Sequence, residues 1–305
     1  MLPSRAVRPF GSSMLAATAL LTCLAAPAAA QDPADPNPGA ITISGAVDFT
    51  NAYLFRGIRQ ETEGLIMWPY LDVGINLYNG EGSLKSFGVN FGTWNSLHGG
   101  GDSGTNNPRN AKLWYESDFY TTFNFGLVNG ITAGLTYTAY TSPNDGFTTV
   151  KEIAFKIAVD DSSQLGKFSL KPYGLIASEM DTSTNTGQAD GGLNAGTYLE
   201  LGIAPGYAWP KFSVAVPVKV GVSLADYYED PITREDSNFG FGSVAGIVTY
   251  PLTAKPTKFG SWNVHAGVEY QKLGSAAKSF LNEANDDGEL KGYKFIYSAG
   301  LGFTY

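Results

Sequence analysis

Residues 293–305 read YKFIYSAGLGFTY, and this stretch decides the fold. Aromatic or aliphatic side chains occupy every second position, namely Tyr293, Phe295, Tyr297, Ala299, Leu301, Phe303 and Tyr305. The positions between them carry mostly small or polar side chains: Lys294, Ile296, Ser298, Gly300, Gly302 and Thr304. A period of two predicts a β-strand with one apolar face and one mostly polar face.

The same alternation recurs from Ile41 onward. It predicts strands over residues 41–55, 65–77, 83–97, 111–125, 131–141, 149–159, 167–180, 195–205, 212–228, 238–250, 261–272 and 292–305. Short connectors alternate with longer, polar ones, which is typical of bacterial barrels with short periplasmic turns and longer extracellular loops. We therefore predict an all-β fold, a single antiparallel transmembrane β-barrel of about twelve strands.

The charged side chains of these strands share one face. With the apolar face turned outward, the inward set is Asp48, Asp72, Glu116, Asp118, Glu152, Lys156, Lys171, Glu179, Glu200, Lys219, Glu269 and Lys294. A charge facing lipid costs about 2–4 kcal/mol for Arg or Lys at mid-bilayer, whereas a charge facing a wet lumen costs little. A soluble β-sandwich would show the same alternation, but the long strands and the features of both ends of the chain favour a membrane barrel.

The first thirty residues have the pattern of a signal peptide. Arg5 and Arg8 precede a short apolar run over residues 14–26, and residues 27–30 form an A-x-A type cleavage site. Residues 31–40, rich in Pro and Asp, are predicted to be a disordered linker, and residues 41–305 the barrel. These features predict export to the bacterial outer membrane.

Composition argues against several classes of function. The formal net charge of −8 disfavours nucleic-acid binding, and the one cysteine, Cys23, lies within the predicted signal peptide. The two histidines form no H-x-H or H-E-x-x-H motif, and the acidic loop runs lack EF-hand spacing. We therefore expect no catalytic residues, no cofactor and no metal site, and we predict that the protein is not an enzyme.

Two stretches resemble known outer-membrane barrels. The last strand, with Phe303 and Tyr305, is similar to the closing strand that the barrel-assembly machinery reads as an insertion signal. Residues 48–60, DFTNAYLFRGIRQ, resemble the opening strand of the TorF family of porin-like outer-membrane barrels. This resemblance implies a porin in the outer membrane.

The match to the TorF pattern lies in Tyr53, Arg56, Gly57 and Gln60, while Arg59 stands where that family usually has Ser. Alternation places Tyr53 on the outward face near the outer rim. Arg56 falls on the inward side, where it would either pair with a loop carboxylate and pin the first loop or supply a cation at the mouth of a pore.

The sequence predicts passive diffusion of small hydrophilic solutes or ions, with a mild cation preference because inward acids outnumber inward lysines. The expected partners are outer-membrane lipids, the assembly machinery and small solutes. Aromatic side chains on the inward face would instead plug the lumen: Trp68, Tyr70, Trp94, Trp114, Tyr120, Tyr173 and Tyr198. The alternative function is therefore a closed barrel that acts as a scaffold or binds partners through its loops.

Overall fold

The structure is a computed structural model that describes residues 39–100, 113–180, 187–192, 194–253 and 259–305. The predicted signal peptide, 1–30, and most of the predicted linker, 31–40, lie outside these residues. No helix among the described residues combines the length and the apolar character needed to cross a membrane.

The strands, in chain order, are β1 Ile41–Thr50, β2 Tyr53–Phe55, β3 Ile58–Glu61, β4 Ile66–Asn79, β5 Leu84–His98, β6 Trp114–Leu127, β7 Ile131–Thr141, β8 Val150–Val159, β9 Phe168–Ser169, β10 Tyr173–Glu179, β11 Thr197–Ile203, β12 Gly206–Ala208, β13 Ser213–Ala215, β14 Val218–Ala225, β15 Phe239–Pro251, β16 Ser261–Leu273 and β17 Tyr293–Thr304. The short helices are α1 Ser162–Leu165 and α2 Ser275–Leu281, and a 3-10 turn covers Val128–Gly130.

The sheet closes on itself. β2 and β3 form a separate two-stranded sheet, so β1 pairs with β4, and from there the strands of the wall pair antiparallel in chain order. β17 returns to β1, with Asp48 opposite Gly300. Beyond the last paired residues, the backbone groups of Tyr305 and Ile43 exchange hydrogen bonds of 2.7 Å in both directions. The predicted twelve-stranded antiparallel barrel is therefore confirmed, and with it the closure of the cylinder by the last strand.

Three of the twelve barrel strands are interrupted, where the sequence predicted continuous strands over residues 167–180, 195–205 and 212–228. The breaks lie at Pro172, Pro205 and Pro217, between β9 and β10, β11 and β12, and β13 and β14. Proline has no N–H to donate to the ladder. Its carbonyl still accepts, since Val216 N donates to Pro205 O at 2.7 Å and Ala245 N donates to Pro217 O at 2.9 Å.

The two faces of the barrel wall have opposite character. Phe119 is 57% exposed on the outside, while the adjacent Asp118 is 2% exposed and points into the lumen. The same contrast holds around the cylinder, with exposed apolar residues outside that include Phe91, Leu135, Phe155, Leu201, Val248 and Tyr297. A water-soluble barrel would carry its charges on the outside, so this outer surface fits a lipid environment.

The first predicted strand, 41–55, ends early. β1 stops at Thr50, and the chain then turns into the lumen and forms a hairpin of β2 and β3. Arg56 and Gly57 make its tight turn, with φ of 50° and 86°. Two positive φ values are those of a type I′ hairpin turn. A Cβ on Gly57 would lie 3.2 Å from Cβ of Phe241, so both the conformation and the space favour glycine.

Tyr53 is therefore inside the barrel, at 1% exposure, and the predicted outward position is wrong. Residues 52–55 are apolar at four consecutive positions, so alternation does not apply to them. All four are buried because the walls of the lumen surround the hairpin on both sides.

The apolar outer surface predicts a depth-dependent response to charge. Phe119 lies near the middle of β6, whereas the outward Tyr207 lies in β12 near the short turn that leads to β13. We expect Phe119→Arg to lower the free energy of unfolding by about 2–4 kcal/mol and Tyr207→Arg by about 1 kcal/mol or less. Urea unfolding in lipid vesicles measures both. Equal costs for the two variants would contradict a membrane around β6.

Candidate functional site

The lumen is filled, towards the rim that carries the long loops, by the hairpin of residues 52–61, which we call the plug hairpin. Ala52, Leu54 and Tyr53 within it are almost completely buried. The Tyr53 ring lies 5.4 Å from the rings of both Trp68 and Trp94, which project inward from β4 and β5. Burial of aromatic side chains of this size supplies much of the energy that holds a loop in place.

Arg56, at the tip of the plug hairpin, is bound to the opposite wall of the barrel. Its Nη1 and Nη2 donate to the two carboxylate oxygens of Glu152 on β8, at 2.6 and 2.9 Å. Nη1 also donates to Tyr227 Oη at 2.7 Å, and the guanidinium lies 4.3 Å from the Tyr198 ring centroid. The Tyr228 hydroxyl donates to the Arg56 carbonyl at 2.8 Å.

This environment keeps Arg56 charged. Burial alone would lower the pKa of the guanidinium, but the Glu152 carboxylate and the hydroxyls of Tyr227 and Tyr140 raise the pKa above its ordinary value. The expectation that Arg56 pins the first loop fits this geometry, although its partner is a carboxylate on a barrel strand and not on a loop.

A second set of contacts holds the other end of the plug hairpin. Oε1 of Glu61 accepts the backbone N–H of Thr62 at 2.8 Å and of Glu63 at 2.9 Å. Its Oε2 lies 3.9 Å from Nδ1 of His98. Nε2 of His98 lies 2.8 Å from Oγ of Ser96, and the Trp68 indole N–H donates to the same oxygen at 3.1 Å.

The contacts link a serine, a histidine and a carboxylate, Ser96, His98 and Glu61, which are the residue types of a hydrolase triad. This set was not predicted from the sequence. The predicted strand, 83–97, ended one residue before His98, and the Ser–x–His spacing, which puts both side chains on one face when the strand extends to His98, was the available clue. Ser96 is completely buried, and its oxygen already accepts a hydrogen bond from Trp68.

Helix α2 covers the plug hairpin from the loop side. Ala276, Ala277 and Leu281 of this helix are fully buried in the same cluster. Nη1 of Arg59 donates to the Leu281 carbonyl, the C-terminal end of α2, at 3.1 Å. The end of the lumen is therefore closed by two layers, the plug hairpin and α2 above it.

The residues predicted to line the pore fall into three groups. The acids Asp48, Asp72, Glu116, Asp118, Glu152, Glu200 and Glu269 face inward and are buried. Lys156, Lys219 and Lys294 face inward and are half-buried, and Arg56 lies in the plug hairpin. Lys171 lies in the break between β9 and β10, with φ of 46°, so the alternation that placed it inside does not apply there.

Most of the inward acids have polar partners. Asp48 Oδ1 lies 2.5 Å from Nε2 of His265. Asp72 accepts from the Asn90 amide at 2.5 Å and from the Tyr120 hydroxyl at 2.9 Å. At the loop end, Lys294 binds Glu283. Burial alone would raise the pKa of Glu283, but the hydrogen bond from Lys294 and the charges of Lys294 and Lys291 lower it below its ordinary value.

Of the aromatic residues expected inside, Trp68, Trp94, Tyr120 and Tyr198 are buried and Tyr70 and Tyr173 are half-buried. Trp114 is outside at 42% exposure, which corrects its predicted position. The register shifts between Ser96 and Leu97, so the chain gains a residue at Tyr115 and reverses the faces before it. On β17, Phe303 packs on Trp262 at 5.3 Å between ring centroids, and Tyr305 is exposed.

No family model matches the chain, and no curated protein matches it, so the TorF resemblance stays a prediction. The fold is similar to several solved structures. The NanC porin shares 10% identity over 87% of this chain and 99% of its own, with a TM-score of 0.43. The COG4313 outer membrane channel from Pseudomonas putida F1 shares 10% sequence identity, and the match covers 90% of this chain and 100% of that channel, with a TM-score of 0.48. Outer membrane phospholipase A from Escherichia coli shares 9% sequence identity, and the match covers 85% of this chain and 92% of the phospholipase, with a TM-score of 0.45.

The pairing of Arg56 with Glu152 predicts that its loss frees the plug hairpin. Arg56→Ala leaves the Glu152 carboxylate buried without its cation, which costs about 3–5 kcal/mol. Because the hairpin can leave without opening the barrel ladder, we expect faster thiol labelling of a Leu54→Cys reporter, together with an unchanged barrel by circular dichroism.

Arg59→Ala is the matched control, because it removes an arginine of the same hairpin whose guanidinium donates to the backbone carbonyl of Leu281 and so leaves no buried carboxylate behind. A reporter at residue 54 that reacts equally slowly with and without Arg56 would disprove the role of this pair.

Proposed function

We propose that the protein is an outer-membrane channel for passive diffusion of small hydrophilic solutes or ions, which the plug hairpin closes in this conformation. The main support for this proposal is that the two ends of the lumen differ in the polarity of the side chains that fill or line them. Towards the long loops the lumen is filled by apolar and aromatic side chains. Below the plug hairpin, polar and charged side chains such as Asn90, Asn124, Lys156 and Lys219 are half-exposed inside the wall.

An outer-membrane location is supported by the apolar outer surface of the barrel. The short turns lie at the end of the barrel where β1 begins and β17 ends, and short turns are typical of the periplasmic side, so we propose that this end faces the periplasm. Lipids are then the partners of the outer surface. We also propose that the assembly machinery recognises β17 through its lipid-facing aromatic residues, which include Phe303 and Tyr305.

The second candidate is a closed barrel that serves as a scaffold or binds partners through its loops. It is favoured by the same plug hairpin, because burial as complete as that of Tyr53 and Leu54 is typical of a permanent core. The two candidates differ in whether the lumen conducts once the hairpin is released.

Planar-bilayer recording of the refolded barrel tests this difference. We expect few or small steps from the wild type and larger, frequent steps from the double variant Arg56→Ala/Glu152→Gln. This variant removes both partners of the pair, so it leaves no isolated buried charge and preserves the net charge of the lumen. Arg59→Ala should conduct like the wild type. Silence of the double variant, with its barrel folded, would favour the scaffold.

We further propose that the protein has no hydrolase activity, because Ser96 is completely buried and its oxygen already accepts a hydrogen bond from Trp68. A fluorophosphonate probe should leave Ser96 unlabelled in the folded wild type, as judged by mass spectrometry against a Ser96→Ala control. Specific labelling of Ser96 in the wild type would reverse this proposal.

A further inference from the structure

The closing strand β17 is longer than the part of it that pairs with β1. The ladder between these strands ends at the pair Thr50–Ser298, whereas β17 begins at Tyr293. On the other side of β17, the ladder with β16 reaches as far as Tyr293. Within the described part of the chain, residues 293–297 therefore have a strand partner on one side only. An open edge of this kind is a template for a further strand.

The open edge starts where the chain leaves the barrel wall, and Asn51 occupies this point. Oδ1 of Asn51 accepts the Tyr297 N–H at 2.7 Å, and the Asn51 N–H donates to the Tyr297 carbonyl at 3.4 Å. Its Nδ2 donates to the Phe295 carbonyl at 3.4 Å. In a continued ladder, the backbone carbonyl of residue 51 would accept the Tyr297 N–H. The side chain of Asn51 thus substitutes for its backbone and lets the chain turn into the lumen.

The first strand of the plug hairpin fits the open edge in register. Continuation of the ladder between β1 and β17 would place Tyr53 opposite Phe295 and Phe55 opposite Tyr293. In an antiparallel pair, the positions that exchange both backbone hydrogen bonds recur at every second residue. Asn51 and Tyr297 already face each other in this way, so the next two pairs would supply partners for the open edge.

The side chains of this segment fit the two faces of the wall as well. Alternation continued from the outward Phe49 would turn Tyr53 and Phe55 outward. There they would lie beside Tyr293 and Phe295, which are exposed on the outer surface. Aromatic side chains are favoured at the interfaces of a membrane barrel. The same two residues are therefore suited to the lumen, where they now lie, and to the outer surface.

The plug hairpin consequently has two places with compatible contacts. In the observed one, Arg56 binds Glu152, and Tyr53 packs on inward tryptophans. Straightening would break these contacts and clear the lumen, but it would gain ladder hydrogen bonds along the open edge. The hairpin joins the wall through Asn51 and through a bend that contains Gly64, with φ of 69°. Bends at both ends allow the hairpin to swing as one piece.

We infer that the plug hairpin opens the lumen by straightening, so that residues 51–55 extend β1 and pair with residues 293–297 of β17. The barrel ladder then holds the open state, whereas side-chain contacts in the lumen hold the closed state. Asn51 is the hinge, because its side chain and its backbone offer alternative acceptors to the same N–H. This inference rests on the proposed channel function, for which it supplies the conducting conformation.

A disulfide between residues 53 and 295 tests the inference. Tyr53 is now buried in the lumen and Phe295 is exposed on the outer face, so the wall separates them. In the straightened state their Cα atoms would be about 5.5 Å apart, within the range of a disulfide. We expect Tyr53→Cys/Phe295→Cys to cross-link under oxidation several-fold faster with Arg56→Ala/Glu152→Gln, the plug-released background, than with Arg56 and Glu152 intact. The cross-linked barrel should conduct steadily in planar bilayers until the disulfide is reduced.

Leu54→Cys/Phe295→Cys is the matched control. Residue 54 would face the lumen in the straightened state and residue 295 faces outward, so this pair should stay uncross-linked in both backgrounds. Asn51→Val removes the side-chain acceptor of the Tyr297 N–H and leaves only the backbone carbonyl. We expect it to speed cross-linking of residues 53 and 295 several-fold.

The outcomes separate the movement from the channel function. Conduction of the plug-released barrel without cross-linking of residues 53 and 295, or equally fast cross-linking of the control pair, would overturn the inference alone. Cross-linking in a barrel that stays silent would overturn the channel function and the assignment of the straightened state as the open one. A folded plug-released barrel that neither cross-links nor conducts would overturn both.

Discussion

Every backbone N–H and C=O of a strand in lipid must find its partner within the protein, because the surrounding hydrocarbon supplies none. The ladder between β1 and β17 completes this pairing, because it joins the first strand of the cylinder to the last. Without it, Ile41–Thr50 and Tyr293–Thr304 would each present an open edge. Closure also leaves the twelve strands with a defined inside, and the inside is where the charged residues, the plug hairpin and the candidate path for solutes all lie.

The plug hairpin adds local strain that its contacts must offset. Arg56 adopts a left-handed conformation, which costs a residue with a Cβ about 1–2 kcal/mol relative to the right-handed one. The same conformation directs its guanidinium across the lumen to Glu152 and the hydroxyl of Tyr227. Strained residues of this kind occur at functional sites when surrounding contacts hold them in place. Both apolar burial and polar contacts hold the hairpin, but it is not part of the barrel ladder, so it can move without unfolding the cylinder.

The strands were predictable because lipid outside and a polar lumen inside impose a strict period of two on every wall segment. Residues 131–141 show this, since predicted and observed strands coincide. The plug hairpin could not be predicted from this pattern, because it is not a wall segment and has no period of two. Ala52, Tyr53, Leu54 and Phe55 look like a continuation of β1, and only the surrounding lumen gives consecutive apolar residues a place to be buried on both sides.

Trp114 illustrates a second limit of prediction. Its position relative to Glu116 and Asp118 places it inside by alternation, but one extra residue in the bulge opposite Ser96 and Leu97 reverses its face. A bulge carries little sequence signal because it is stabilised by the neighbouring strand. The Ser96–His98–Glu61 contacts share this property, since Glu61 joins the other two residues only through the fold of the plug hairpin.

The charges of the lumen show why residue counts and electrostatic function separate. Alternation places acids and lysines on the same inner face and treats them as equal, so the larger number of acids implies a cation preference. Burial distinguishes them, because a short carboxylate can sit among Tyr hydroxyls and backbone N–H groups, as Glu200 and Glu179 do. A lysine has a long stem that lets the ammonium reach water. A count of inward acids and lysines therefore does not give the charge that a solute in the lumen would meet.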